Sequence, residues 1–456
     1  MEKVKTVIEG MIGLEIHVYL VTKEKLFCKC IASREKGIKG NINICPICTG
    51  QPGAKPMLPN KTAVEKAVQI ALMLECKINS ELIWQRKHYN WPDLPKGYQN
   101  TLSGPNTTGI GKEGSFYGIK IKSMHLEEDP ASWNPESGDV DYNRSGLPLV
   151  EIITEPDFST AEEVNSWLKK LLQNLTYLKT VDSNAGIKVD VNVSIPGKTE
   201  RVEIKNISSL ENIGMAIDYE LNRQRKEGNK KRETRRFNDS NGKTEVMRSK
   251  EEQEDYRFIG DPDLSPLIIK KDLITFQKNR IPESPDEKLD KLIKKYKIDK
   301  INAEILAKNI DIVNFFELIA EKVDPKFALP WITIELLRVL NYNKKKLDEV
   351  NIEPEHFIAL LLLIKKEKIT ELQGKQILNK FVPKSVMPSD TESKITSPDE
   401  LKIVIKEVFS KNPKAVESYK KGESNALNFL MGQIMSLTHK RADFKIARTL
   451  LLEMLK

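Results

Sequence analysis

Residues 118–155 read GIKIKSMHLEEDPASWNPESGDVDYNRSGLPLVEIITE, and they decide the fold. Two apolar, strand-like runs flank a loop rich in Pro, Asn, Gly and Asp, which predicts an antiparallel pair. Over 119–127 the alternation puts Ile119, Ile121, His125 and Glu127 on one face. Lys120, Lys122, Met124, Leu126 and Glu128 fall on the other. In the second run Glu151 stands alone among Leu149, Val150, Ile152 and Ile153. A carboxylate there costs desolvation energy unless it meets a cation or a metal. Clustered carboxylates suggest a divalent cation and a phosphorylated ligand. Glu127, Glu128 and Asp129 could equally be a solvated strand end.

The stretch sits in a chain of 456 residues, which predicts two or three domains. The chain is 39% hydrophobic and 30% charged, with net charge +8, as expected of a water-soluble protein with ample core. Residues 286–456 hold 31 Lys+Arg against 25 Asp+Glu, so the basic excess lies mostly in the last third. That excess suits a polyanion such as RNA. Residues 1–18 lack the apolar core of a signal peptide, and no run approaches a membrane helix. A cytoplasmic chain with no membrane segment is expected, in which five cysteines favour metal or incidental thiols over disulfides.

Upstream, MIGLEIHVY (11–19) alternates strictly. Ile12, Leu14, Ile16 and Val18 form its apolar face. Glu15 and His17 project together from the other, where they could bind a metal, exchange a proton, or simply face solvent. Cys28-Lys-Cys30 and Cys45-Pro-Ile-Cys48 supply four thiolates for one tetrahedral zinc, and Cys76 reads as an ordinary buried thiol. Helices are predicted from Pro59, with a Thr62/Glu65 capping box, and from Ser159, with Glu162 as its partner. Between them, RKHYNWPDLPKGYQNT (86–101) offers Arg86, Lys87 and Lys96 to phosphates and Tyr89, Trp91 and Tyr98 to a base or ribose. It could equally be a rigid loop with its aromatics packed inward.

Downstream, IKVDVNVSI (187–195) and RVEIKN (201–206) read as neighbouring strands. Asp190, Asn192 and Ser194 line one face of the first, and Arg201, Glu203 and Lys205 point outward from the second. A meander with one polar face implies an antiparallel sheet with helices behind it and a ligand concavity in front. Arg235, Arg236, Arg248 and Arg257 follow in a polar segment, where they could hold phosphates or balance acids. IPESPDEK (281–288) marks a boundary, beyond which Lys-rich amphipathic helices run to the end. Lys420, Lys421, Lys440, Arg441 and Lys445 give the last segment a basic surface.

Taken in order, GLEIHV (13–18), CKC (28–30), CPICTGQPGAKPMLPN (45–60), RKHYNWPDLPKGYQ (86–99), HLEEDP (125–130), VDYNRSGLPLVEIITEPD (140–157), VEIKNISSL (202–210), ETRRFN (233–238), MRSKEE (247–252) and YRFIGDPDLSPL (256–267) resemble the B subunits of the aspartyl/glutamyl-tRNA amidotransferases. NPKAV and ALNFLMGQIM near the end are similar to YqeY-like tRNA-binding tails. Two stretches depart from the family pattern: Ala131-Ser132 after Pro130, and the tail turn HKRADF.

The resemblance implies an α+β fold. Its parts are a cradle-like antiparallel sheet domain similar to glutamine synthetase (1–284), an all-α helical domain (285–395) and a YqeY-like helical tail (396–456). It implies ATP-dependent phosphorylation of the side-chain carboxylate of Glu or Asp misacylated to tRNA(Gln) or tRNA(Asn). Ammonia from the amidase, or A, subunit then displaces the phosphate, and a small C subunit completes a heterotrimer. By motif, Glu15, His17, Glu128 and Glu151 would hold Mg2+, with His125 and Glu127 next in line as catalytic groups. Lys87 would contact phosphate, with Arg86 and Tyr89 beside it at the ATP site. Because Mg2+ prefers oxygen, His17 would act through water or favour Mn2+. No Gly/Ser-rich amidase signature occurs, so glutamine hydrolysis falls to another chain. The alternative is a non-catalytic tRNA-binding scaffold in the same complex.

Overall fold

The computed structural model describes residues 10–35, 37–182, 186–249, 257–388 and 395–455, without the side chains of 206, 248 and 249. The reading of residues 1–9 as lacking a leader, part of the MRSKEE block and the Arg248 side chain lie outside the described residues. The chain divides into two compact units, Met1–Glu283 and Ser284–Lys456.

The first unit contains β1 (Met11–Tyr19), α1 (Lys61–Met73), β2 (Lys77–Ile78), β3 (Glu81–Leu82), β4 (Gln85–His88), β5 (Tyr98–Thr101) and β6 (Gly111–Phe116). Next come β7 (Ile119–Glu128), β8 (Ser132–Trp133), β9 (Val140–Asp141), β10 (Pro148–Thr154), α2 (Ala161–Leu178), β11 (Ile187–Ser194), β12 (Val202–Ile207) and α3 (Leu210–Glu227). The unit ends with β13 (Glu233–Asn238), β14 (Lys243–Ser249), β15 (Arg257–Gly260), β16 (Leu267–Ile268) and α4 (Lys271–Lys278).

Twelve strands form one sheet in the order β14-β13-β12-β11-β1-β10-β7-β5-β4-β15, with β6 joining β7 and β2 joining β6. Its pairs are antiparallel except β12–β13. That pair is parallel because α3 crosses over between its strands. β7 and β10 pair around the predicted loop, and β1 lies in the middle between β10 and β11. Ile12, Leu14, Ile16 and Val18 join Val150, Ile152, Met124, Leu126, Val189 and Val191 in one core. α1, α2 and α3 contribute Val64, Leu168, Leu171 and Ile217 to it.

Ile121 departs from the predicted alternation. A bulge shifts the register between its pairing with Thr154 and that of Ser123 with Ile153, so Ile121 joins the core with Met124. Both capping readings also move. Asn60, not Thr62, caps α1 by accepting from Ala63 N–H. Thr160 and Glu163, one residue beyond the expected pair, form the capping box of α2.

In the second unit the described residues form helices, with isolated bridges as their only strand pairing. Phe357, Leu360, Leu361 and Ile364 are the buried stripe of a central helix, Pro354–Lys365. Helices Pro398–Lys411, Ser424–Leu437 and Phe444–Leu455 share an apolar cluster of their own, with Leu401, Ile405, Leu430, Ile434 and Leu451 inside it.

Candidate active site and thiolate centre

Opposite the helices, the sheet carries its polar side chains. On β1, His17 pairs across to Glu151 of β10, and Glu151 to His125 of β7. Glu127 pairs with Thr101 of β5, and Gln99 with Lys87 of β4. On the other side of β1, Glu15 pairs with Asp190, and Asn192 with Glu203. Directly paired residues share a face. Glu15, His17, Glu127, Glu151, His125, Lys87, Asp190, Glu203 and Lys205 therefore converge on one surface from six strands.

Glu151 is 8% exposed. Its Oε1 lies 3.6 Å from His17 Nε2, and its Oε2 is buried without a hydrogen-bond partner. Burial pushes its carboxyl up, but His17, His125 and Lys87 outweigh burial and hold it at about 2. His17 is the converse case. Burial disfavours its imidazolium, while Glu151, Glu127 and Asp190 together raise it to about 9. Glu127 is held by Thr101 Oγ1 and by Gln99 Nε2, the latter at 3.2 Å. Burial, then the charge of Glu151, push its carboxyl above the usual range. Glu15 is raised by burial and by Glu151, Glu203 and Asp190.

These carboxylates repel one another in a partly desolvated place, and one oxygen is unpaired. The donor set is rich in oxygen and holds one imidazole, which fits a divalent cation. A second group fits one as well. Oxygens of Glu15, Asp190 and Glu203 lie within 4.8 Å of one another. Lys205 Nζ sits against this trio, 3.2 Å from Asp190 and 2.8 Å from Glu203.

Because His17 is raised above its unfolded value of about 6.5, its contact with Glu151 contributes fully below that pH. The contribution is lost as pH rises through about 9. In the metal-free chain the His17 imidazole, assigned by loss of its signal in His17→Gln, should titrate near 9 by NMR. A midpoint near 6.5 would mean that Glu151 does not act on it.

Two expected members are placed elsewhere. Glu128 lies on the opposite face from Glu127, as strict alternation requires. Its carboxylate accepts from the Lys96 ammonium and, at 2.9 Å, from Asn100 N–H. It is not with Glu15, His17 and Glu151. Arg86 also faces away. It bonds Asp261 at 3.0 and 3.2 Å and Asp263 at 2.6 Å, and stacks 4.5 Å over Tyr98. Tyr89 is half-buried just beyond β4. His125 is on the right face, but its Nδ1 meets Leu102 O at 2.7 Å and its Nε2 meets Ser123 Oγ at 2.8 Å. It therefore acts there as a fixed neighbour of Glu151 rather than as an open ligand.

Of the arginines read as phosphate candidates, Arg235 and Arg236 are also engaged. Arg235 bonds Thr244 and Glu233, and Arg236 bonds Glu245. An open cavity of about 660 Å3 lies at the end of β1, lined by Tyr19, Arg34, Pro148 and Asp182 among others. Arg34 lies 3.5 Å over the Tyr19 ring, and Tyr19 Oη donates to Asp129 at 2.8 Å.

The four cysteines of the two pairs do meet. Their sulfurs lie within 4.8 Å of one another, with Cys48 at 3.9 Å from Cys45 and 4.0 Å from Cys30. A tetrahedral zinc with ~2.3 Å bonds separates its sulfurs by roughly 3.8 Å, so the cluster fits such an ion. Cys45 N–H donates to Cys48 Sγ at 3.2 Å, and Lys25 Nζ lies 3.5 Å from that sulfur. The thiol of Cys28 supports Cys48 as a thiolate, lowering it to about 4, while the same contact pushes Cys28 up. Gly50 follows with φ +65°, where an added Cβ would collide with Pro95 O. The knuckle thus packs closely on the loop that carries Lys96. Cys76 stands apart in the apolar core, its thiol pushed up to about 12 by burial.

Residues 10–275 match the GatB/GatE catalytic domain family, and residues 314–455 match the GatB domain family. The chain is 42% identical to the B subunit of the aspartyl/glutamyl-tRNA(Asn/Gln) amidotransferase of Methanocaldococcus jannaschii, over 97% of each chain. It is 42% identical to the protein of that name from Methanothermobacter thermautotrophicus, over 94% of this chain and 97% of the other. The corresponding protein of Methanopyrus kandleri is 41% identical over 97% of this chain and 98% of its own.

Proposed function

The chain belongs to the B subunits of the aspartyl/glutamyl-tRNA(Asn/Gln) amidotransferases, and on that premise we propose that its acidic sheet face activates the side-chain carboxylate of Glu or Asp misacylated to tRNA(Gln) or tRNA(Asn). Membership makes the chain one component of a tRNA-dependent amidotransferase. ATP would phosphorylate the carboxylate, and ammonia would replace the phosphate to give the amide. The ammonia would come from the amidase, or A, subunit, with a small C subunit completing a cytoplasmic heterotrimer. Among the described residues no helix is long and apolar enough to cross a membrane.

The observation that carries this reading is the convergence of Glu15, Glu127 and Glu151 with His17, with Glu151 Oε2 left unpaired. Glu15, His17 and Glu151 would hold Mg2+ or Mn2+, and Glu15 with Asp190 and Glu203 would hold another such ion. When bound, such cations neutralise charge on a transferring phosphoryl group. His17 keeps Glu151 ionised. Thr101 and Gln99 fix Glu127, while Leu102 O and Ser123 fix His125. Lys87, whose charge acts on both Glu127 and Glu151, is the group that would meet phosphate. Cys28, Cys30, Cys45 and Cys48 would hold structural Zn2+.

The test is amide formation by the assembled complex with ATP and ammonium, on Glu-tRNA(Gln) and Asp-tRNA(Asn) separately. Product on at least one is expected. With neither, the chain would be a tRNA-binding scaffold.

The helical tail would hold tRNA by phosphate contacts. Lys420, Lys421 and Lys445 are exposed on it, and its apolar cluster is its own. Deleting residues 396–456 should weaken tRNA binding and flatten its salt dependence, since fewer counterions are released. Unchanged affinity and slope would assign the tail another role.

A further inference from the structure

Lys205 raises a question that the function above leaves open. Its side chain is only 28% exposed, and its ammonium touches two of the three acids that would hold a cation, Asp190 and Glu203. Both residues it touches are buried, with side chains 11% exposed. On the same face, Glu151 is as deeply buried, leaves Oε2 unpartnered, and adds its charge to Glu15. One carboxylate oxygen of this face therefore lacks a donor even with Lys205 in place. Position matters as well. Lys205 reaches the trio from β12, one strand beyond Asp190, on a side chain with four rotatable carbons. It can leave without moving the sheet.

We propose that Lys205 is a tethered counter-cation of the trio. It holds the three carboxylates together in the metal-free protein and is displaced when a divalent cation binds. The ammonium, still protonated, then stands beside the bound ion, where it can pair with an anionic oxygen that the ion carries. This rests on the functional reading for the identity of that anion, but not for the exchange itself.

Charge decides the expected effect. Two like charges at this separation cannot share three carboxylates without mutual repulsion. Removing the ammonium therefore removes a competitor.

The experiment measures Mn2+ binding by electron paramagnetic resonance on the zinc-loaded complex near pH 8, with no nucleotide. Lys205→Met and Lys205→Gln should bind Mn2+ about tenfold more tightly than the native chain, consistent with loss of one charge contact at partial burial. Lys205→Arg keeps the competitor and should remain within about threefold of native. Adding Glu203→Gln to Lys205→Met should abolish the gain, which assigns it to this trio and not to His17 and Glu151. Circular dichroism and melting temperature check that each variant folds.

Affinity within about threefold of native in both Lys205→Met and Lys205→Gln, or weaker, overturns the proposal. So does a gain that survives Glu203→Gln. Because the readout is cation binding, a complex that bound Mn2+ as expected but formed no amide would refute only the functional reading.

Discussion

Glu151→Gln is expected to lower amide formation from ammonium by about a hundredfold or more, as for other charge-stabilising groups removed from a transition state. Gln keeps the shape of the side chain on β10 and its place opposite His17 and His125. The variant removes the charge that holds His17 protonated, and with it the only carboxylate oxygen of this face found buried and unpaired among the described residues. Folding should survive, because replacing Glu151 also relieves its repulsion of Glu127 and Glu15. Glutaminase activity on the partner chain should persist at least in part.

Glu128→Gln makes the contrast. It lies one residue from Glu127 but on the opposite face, buried against Lys96. There the substitution strands a buried ammonium, at a cost of about 3–5 kcal/mol. Its effect should appear first as a lower melting temperature. A Glu128→Gln variant with native stability and lost activity would place the acid site on both faces.

The second large effect is expected at the cysteines. Purified protein should hold about one zinc per chain, as a single four-thiolate site requires. Cys48→Ser should lose that zinc and expose the 28–57 segment to protease. The segment has few buried side chains of its own, Cys28 and Cys48 among them. The loss should spread inward. Ser145 Oγ donates to Cys48 O at 2.7 Å, and Lys25 Nζ to Tyr142 O at 3.0 Å. Through this loop Arg144 reaches Asp129, 3.2 Å away beside Tyr19. Zinc-free Cys48→Ser protein of native stability and protease resistance would make the four thiols incidental.

How much of this was legible varied with the range of the signal. β1, β7 and β11 were plain because their residues alternate, β10 because it runs apolar around Glu151, and alternation put Glu15 with His17. The helical second unit was plain from the loss of strands and the rise of amphipathic Lys-rich runs. The cysteine cluster followed from spacing alone.

What adjacent strands do was less legible. Asp190 and Glu203 read as polar face residues, but their meeting with Glu15 depends on β11 pairing with β1, and register is a tertiary choice. Glu128 shows the opposite failure. Strand period already put it on the face of Met124 and Leu126, yet the HLEED block suggested grouping it with Glu151. In a strand, sequence neighbours point apart, and the block's conspicuous acidity says nothing of which side each acid takes. Arg86 and Lys87 divide in the same way: one goes to Asp261 behind the sheet, the other to the acids in front. The displaced caps at Asn60 and Thr160 reflect competition between adjacent Asn, Ser and Thr residues for one helix start.

The claim on which the rest depends is that the face of Glu15, His17 and Glu151 transfers phosphate to the aminoacyl side chain. The most direct test measures ADP formed by the assembled complex with ATP and misacylated tRNA, with neither glutamine nor ammonium present. Native complex should form ADP only when the tRNA carries Glu or Asp, and Glu151→Gln should reduce this to the level seen with uncharged tRNA. ADP formation by Glu151→Gln at the native rate, still dependent on the misacylated tRNA, would put phosphoryl transfer elsewhere and contradict the account.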